Sequence, residues 1–299
     1  MVLISKIFYF RSKNMTANYK FIKKLGQGTF GVTYLVEDRK SHLQYALKII
    51  DIKKSEANGV NFNDIIAEIK TLITLSSDPK CYPYIACYYN YSRAKFLGRD
   101  SILILSEYIN GPTLSQLLEQ QQSLAPLAPK ILINYMYQLI SGLTYIHEKG
   151  YAHRDIKPDN IILNSATRTL KYIDFGLACH ANCRSIAGTV YWMPPELFHP
   201  NFTPTLLSSQ AHDVWSLGVV FYQLANQNNL PFTIPTNASL DQIKRSIQRP
   251  LIPSDYHVKS TLSPKINYII DSMLRYSWRN RPKARNIKSY ISQYITNYP

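Results

Sequence analysis

Acidic residues are scarce in this chain. Nineteen Asp and Glu stand against 34 Lys and Arg over 299 residues, a formal charge of +15. Such an excess suits sequence-independent attraction to nucleic acid or to an anionic membrane, or it is simply a solvated surface. The charges are scattered, with the densest groups at Lys20–Lys24, Lys53–Lys54 and Arg275–Arg285, and no dedicated nucleic-acid module is visible. No specific nucleic-acid function is therefore expected, although packaging with a nucleoprotein particle stays open. Cysteine is also rare. Four residues, Cys81, Cys87, Cys179 and Cys183, are too few for the framework of a disulfide scaffold of this size, and reduced thiols are the expectation. With His180 between the later pair, zinc is an alternative, but the spacings match no familiar finger. No apolar run is long enough for a transmembrane segment; Met1–Phe10 is short and interrupted by Lys6, and lacks a small-residue cleavage site. Internal repeats are absent too, and the one biased stretch, Gln120-Gln121-Gln122, reads as a loop.

What the chain does contain is a dense set of phosphate chemistry. His153-Arg154-Asp155-Ile156-Lys157-Pro158-Asp159-Asn160 is followed by Asp174-Phe175-Gly176. Transfer of a γ-phosphoryl group asks for positioning, metal ligands, a cation on the phosphates and an acceptor for the incoming hydroxyl's proton. Asp155 suits the last task and Lys157 the transferring phosphate. Asn160 and Asp174 offer the oxygen ligands that a hard cation such as Mg²⁺ prefers, with Mn²⁺ as a substitute.

Earlier segments fit the same chemistry. Gly26-Gln27-Gly28-Thr29-Phe30-Gly31 lies between strand-like runs, with Phe30 at the tip as a lid, and alone this pattern is equally a glycine-rich hairpin. Tyr45-Ala46-Leu47-Lys48-Ile49-Ile50 is an apolar strand interrupted by one Lys. Asp64–Leu72 has helical periodicity and carries Glu68, and Leu132–His147 is a second apolar helix stopped at Lys149-Gly150.

In this order, over almost the whole length, these motifs resemble the eukaryotic-type protein kinase family. The resemblance implies an α+β, bilobal protein kinase fold, with a small β-rich N-lobe and hinge over 19–109 and a larger α-helical C-lobe over 110–294. Residues 1–18 form a short N-terminal extension and 295–299 a tail, and Met15 is an alternative start. ATP would be held by Gly26, Gly28, Gly31, Thr33, Ala46, Lys48, Glu107, Ile109 and Ile162, with Glu68 pairing with Lys48. Thr33 stands where the family usually has Val, and Ser106 falls at the gatekeeper position, where larger side chains are common. The activation segment would run from Asp174 to Glu196, with Ser185 as a phosphate-acceptor site facing Arg154, and Thr189 bonding near Asp155 and Lys157. Glu196, Asp213 and Arg281 take structural roles. Pro194 replaces the usual alanine of the closing Ala-Pro-Glu.

These late motifs favour a protein substrate over a small molecule or lipid, and Lys157 and Thr189 favour Ser/Thr acceptors over Tyr. The Gly188–Met193 string is similar to STE-group or NEK-type kinases, with no subfamily assigned. Thr113 and Gln223 replace two acids that Arg-directed members use, leaving Asp159, so substrates not directed by Arg, and acidic ones among them, are expected. The alternative is a pseudokinase acting as an ATP-binding scaffold; degenerate members typically lose one of Lys48, Glu68, Asp155, Asn160 and Asp174, all present here. The location implied is intracellular: cytoplasmic, or host cytoplasm or virion if the source is viral or bacterial, as richness in Ile, Asn, Lys and Tyr suggests. Oligomeric state has no signal in the sequence.

Overall fold

The computed structural model describes residues 16–28, 31–78, 80–121, 127–181, 183–248 and 264–296. Two compact units result. One runs to Cys81 and resumes over Ala86–Ile109, and the other comprises Tyr82–Ile85 and the chain from Asn110. The first is mostly sheet and the second mostly helix, the α+β division that the resemblance implies.

The first unit is built on five antiparallel strands in the order β1-β2-β3-β5-β4: β1 (Tyr19–Gln27), β2 (Val32–Asp38), β3 (Gln44–Asp51), β4 (Tyr88–Phe96) and β5 (Arg99–Glu107). Strand period two sorts β3. Leu47 and Ile49 enter a core with Val36, Leu103 and Leu105, which leaves Ala46 and Lys48 on the other face. A short helix α1 (Ile52–Ala57) precedes α2 (Phe62–Leu75). Helix α2 starts where it does because Asn61 and Asp64 form a reciprocal capping box, each side chain accepting from the other's backbone N–H. Its buried stripe of Ile65, Ile69, Leu72 and Leu75 includes one acid, Glu68.

In the second unit, α3 (Leu114–Gln121) is capped by Thr113, whose hydroxyl accepts from Gln116 N while Gln116 Oε1 accepts from Thr113 N. This corrects the loop expected at the glutamines: Gln120 and Gln121 close a capped helix, and Gln122 lies outside the described residues. Helix α4 (Pro129–Glu148) begins with proline at its first position and ends at Lys149-Gly150, with Gly150 at φ 81°, the left-handed stop that glycine tolerates. Helix α5 (Leu206–Ala225) is buried nearly throughout, Trp215 and Phe221 completely so. Short antiparallel pairs β6 (Tyr151–Ala152) with β9 (Cys179–His180), and β7 (Ile161–Leu163) with β8 (Leu170–Tyr172), frame the loop between them. Helices α6 (Leu240–Gln248), α7 (Pro264–Met273) and α8 (Ala284–Thr296) complete the unit. Among the described residues, no helix is long and apolar enough to cross a membrane. Met1–Phe10 and Met15 lie outside them.

Candidate active site

Each unit carries its own group of candidate residues. In the first, Gly26 lies in β1 and Gly28 N–H donates to Gly31 O at 2.9 Å. A Cβ on Gly31 would collide with the backbone carbonyl of Ile49, so only glycine fits this close approach of two strands. Thr29 and Phe30, the expected lid, lie outside the described residues. Register then places Thr33 opposite Lys48 and Ser106 opposite Ala46, on the sheet face away from the aliphatic core. Lys48 Nζ meets Glu68 Oε1 at 2.6 Å, with the Glu68 side chain only 2% exposed, so α2 delivers a buried carboxylate to the one cation of β3. Glu107 closes β5, donating its N–H to Cys87 O at 2.8 Å and accepting from Cys87 N at 3.1 Å, and Ile109 follows it, buried.

In the second unit, the loop after β6 turns sharply. Arg154 has φ 65°, outside the range favoured by a branched or long side chain, and such strain persists only where surroundings over-determine it. Here the determinant is Asp213 of α5. Its carboxylate accepts from His153 N at 2.8 Å and Arg154 N at 2.7 Å, and His147 Nε2 lies 2.9 Å away. Burial by itself would raise this carboxyl; the hydrogen bond and charge of His147, with His212 and His153, outweigh it and hold the group below its ordinary value. His153 is fully buried, with Phe175 and Tyr172 rings packed 4.9 and 5.8 Å away.

The turn presents Asp155 to a closed polar net. Thr189 Oγ1 donates to Asp155 Oδ1 at 2.7 Å and accepts from Lys157 Nζ at 2.8 Å; Lys157 Nζ stands 3.1 Å from Asp155 Oδ2. Asn160 Nδ2 donates to Asp155 Oδ2 at 2.8 Å and to its carbonyl at 2.9 Å. With its nitrogen spent on Asp155, Asn160 keeps its amide oxygen for other use. Asp174 is exposed and strained at φ 56°, with Gly176 N donating to Oδ1 at 3.2 Å. A hard cation fits these donors, one amide oxygen and one carboxylate, once phosphate and water oxygens complete its shell. Ile162 sits in β7, opposite Lys171 and bridged to Thr113.

Downstream, Arg154 Nη1 donates to both the carbonyl and the hydroxyl of Ser185 at 3.0 Å. Burial lowers the Arg154 guanidinium from its ordinary value. Glu196 and Arg281 form a two-pronged pair at 2.7 Å on each prong, and Arg281 also donates to the carbonyls of Arg275, Ala211 and Tyr276. The guanidinium lies 4.9 Å from the Trp215 ring centre.

The thiol expectation is overturned. Cys81 is bonded to Cys87 and Cys179 to Cys183, with Cα–Cα separations of 5.7 and 5.4 Å, and among the described residues no cysteine is free and no cluster of His, Cys, Asp and Glu could hold a metal. The fold brings each pair within bridging range, which spacing alone does not reveal. Two polar locks were likewise missed. His147 reads from sequence only as the end of a helix, yet it steadies Asp213. Trp192 Nε1 donates to Gln223 Oε1 at 2.9 Å, and Ser216 Oγ donates to Trp192 O at 2.7 Å, pinning the segment before Glu196 onto α5. Neither contact leaves a local signal, because the partners are far apart in the chain.

The chain is similar to several serine/threonine protein kinases. Serine/threonine-protein kinase nekl-2 of Caenorhabditis elegans is 28% identical over 289 residues, covering 91% of this chain and 73% of that protein. Aurora kinase B of Mus musculus is 28% identical, with 89% and 71% covered. Calcium-dependent protein kinase 6 of Plasmodium berghei is 31% identical over 274 residues, and there the chain spans only 17% of its relative. The protein kinase domain family model matches residues 19–291, and the chain belongs to that family.

Proposed function

We propose that the chain transfers the γ-phosphoryl group of ATP to Ser and Thr hydroxyls of protein substrates, with Asp155 accepting or orienting the hydroxyl proton. It is a serine/threonine protein kinase. The observation that carries the residue roles is the net joining Lys157, Thr189, Asp155 and Asn160. An ionised carboxylate offers about four lone-pair positions. Thr189, Lys157 and Asn160 take up three at Asp155, which leaves room for one incoming hydroxyl. Lys157 Nζ, 3.1 Å from Asp155 Oδ2, supports a role as the cation on the transferring phosphate. Lys48, held by Glu68, takes the α- and β-phosphates, and Gly26, Gly28 and Gly31 give the backbone close approach to them. Thr33 and Ala46 flank the adenine, and the backbone of Glu107 and Ile109 bonds its edge.

Asn160 and Asp174 would hold magnesium, which would neutralise charge on the phosphates. Ser185 beside Arg154 is a candidate phosphate-acceptor site, since a phosphate there would turn neutral hydrogen bonds into charge-assisted ones. A scaffold that no longer turned over ATP would have no use for the Asp155 net.

Substrate choice follows from two occupied positions. Gln223 is neutral and engaged at both ends of its amide, accepting from Trp192 and donating to Asn228 Oδ1 at 2.9 Å, and Thr113 is spent on capping α3. Neither supplies a carboxylate for Arg, so the preferred sequences lack Arg before the acceptor and include acidic ones, which suits a surface of net charge +15. A peptide array that selects Arg two or three residues before the acceptor would overturn this preference. We place the protein inside cells, where ATP is available.

The deciding experiment is Mg²⁺-dependent transfer of labelled γ-phosphate to generic acceptor proteins and to the chain itself, with phosphoamino-acid analysis. Label on Ser and Thr that falls by about 10²- to 10⁴-fold in Asp155→Asn is the expected result. Label that survives unchanged in Asp155→Asn, or that sits on Tyr alone, would sink it.

A further inference from the structure

Arg154 grips the activation segment at two points that flank a cross-link. Its Nε donates to Leu177 O at 2.7 Å, and its Nη1 donates to the carbonyl and hydroxyl of Ser185. Between these points lies the bonded pair Cys179 and Cys183. Cys179 is opposite Ala152 in the β6–β9 pair, and both sulfur-bearing residues are buried with Ala152 in a small apolar cluster against Leu206. The residues around them face solvent: His180, Ala181, Arg184, Ser185 and Ile186 are all exposed.

A phosphate orders such a segment by giving a buried Arg a charged partner. Among the described residues, the hydrogen bonds of the Arg154 guanidinium go to neutral oxygens, two carbonyls and one hydroxyl. The stretch is also held by a two-residue strand pair, which is weak alone, by the Tyr151–His180 ring contact and by the cross-link. Closing a short loop removes conformations that the open segment would otherwise sample, so the bond favours the very arrangement in which Leu177 and Ser185 both reach Arg154.

Resting on the kinase reading above, we propose that Cys179 and Cys183 form a thiol–disulfide modification site whose oxidised state orders the activation segment in place of a phosphate. The co-reactant is a small-molecule disulfide of the glutathione type. In the reduced chain, the thiolate of Cys179, the less buried of the two at 7% against 1%, attacks one sulfur of the reagent and expels its first thiolate. The Cys183 thiolate then attacks the Cys179 sulfur of the mixed disulfide and expels the second. Two electrons pass from the protein sulfurs to the reagent, and the two protein thiol protons end on the two released thiols. Because both sulfurs face inward, exchange requires the segment to lift, so the ordered oxidised form is also the slowly reduced one. Cys81 and Cys87 are only half-buried and serve as an internal comparison.

The test equilibrates the full chain in oxidised or reduced glutathione and reads three things: alkylation of free thiols mapped by mass, initial rate of phosphoryl transfer, and amide hydrogen exchange over 177–189. Oxidation is expected to cross-link Cys179 to Cys183, slow exchange in that stretch and raise kcat about tenfold, the scale on which a short-loop cross-link biases local order. Cys183→Ala should sit at the reduced rate in both buffers, while Cys81→Ser/Cys87→Ser keeps the response. Equal rates and equal exchange in wild-type protein shown by mass to be cross-linked would overturn the proposal, as would failure of the pair to form in the oxidised buffer. Absence of transfer in both states would count against the kinase reading instead, and the exchange of 177–189 would then decide the switch alone.

Discussion

The backbone N–H of Arg154 donates to the buried carboxylate of Asp213 at 2.7 Å, and this bond sits where the chain holds a left-handed φ of 65°. Asp213 is 0% exposed and takes a second backbone N–H from His153, so one side chain of α5 sets the path by which the chain enters Asp155. On the proposed roles, it is a positioning residue and not a catalytic one.

Replacing Asp213 with Asn leaves one acceptor oxygen and turns an N–H₂ toward backbone donors. Losing a hydrogen bond to a charged group costs about 1.5–3 kcal/mol, so Asp213→Asn should lower stability by that scale and kcat by at least about tenfold as Asp155 loses its fixed approach. KM for ATP should change less than kcat, because Asp213 fixes the backbone that leads into Asp155. Thermal melting and steady-state kinetics test both halves, and an unchanged kcat would remove the positioning role.

Much of this site is legible in sequence because its chemistry admits few substitutes. Asp155, Lys157, Asn160 and Asp174 are the residue types that phosphoryl transfer needs, and period two in β3 already separates Lys48 from Leu47 and Ile49. Contacts between distant polar partners are not legible. Nothing near His147 announces Asp213, 66 positions on, and nothing near Trp192 announces Gln223. The cysteine pairs were misread for a related reason: whether two thiols meet depends on the turn between them, and composition reports only their number. The glutamine run was misread because its capping partner, Thr113, lies a full helix upstream.

Ser106 and Ala46, directly opposed on β5 and β3, are both small. Purine inhibitors with bulky substituents should therefore bind, and Ser106→Met should raise their inhibition constants by roughly tenfold to a hundredfold, the range set by 1–3 kcal/mol of overpacking. Use of ATP itself should be spared. Competition assays on the two proteins measure this, and inhibitors that fail on the unmodified chain would show that Ser106 does not border the adenine.

Arg281 satisfies a carboxylate and three carbonyls with one planar fork, its side chain wholly buried. A lysine cannot make the two-pronged bond and would leave carbonyls unpaired. Arg281→Lys should cost about 3–5 kcal/mol, lowering Tm by roughly 10 °C for a domain of this size. At low temperature, kcat should stay near that of the unmodified enzyme if the role is structural. A normal Tm with a collapsed kcat would reverse that assignment.

His212 provides the pH dependence. Burial lowers its pKa from 6.5 to about 4, with Asp213 opposing the shift and Arg281 and Arg154 reinforcing it. The unfolded chain therefore takes up a proton at this residue near pH 6.5 while the folded chain stays neutral until about pH 4. More protons on the unfolded state means stability that rises with pH across this window, so acidification from pH 6.5 to 4 should remove roughly 3 kcal/mol through this group. Asp213 acts lower down. Its folded pKa lies below the ordinary 3.8, so the stability it contributes is present above that value and is lost only as pH falls further. The two windows barely overlap, which makes the histidine separable. His212→Gln keeps a neutral polar side chain of similar size, and its stability, measured by denaturant unfolding at successive pH values, should fall less steeply between pH 6.5 and 4 than that of the unmodified protein. Parallel curves for the two proteins would mean that His212 is not the group that titrates.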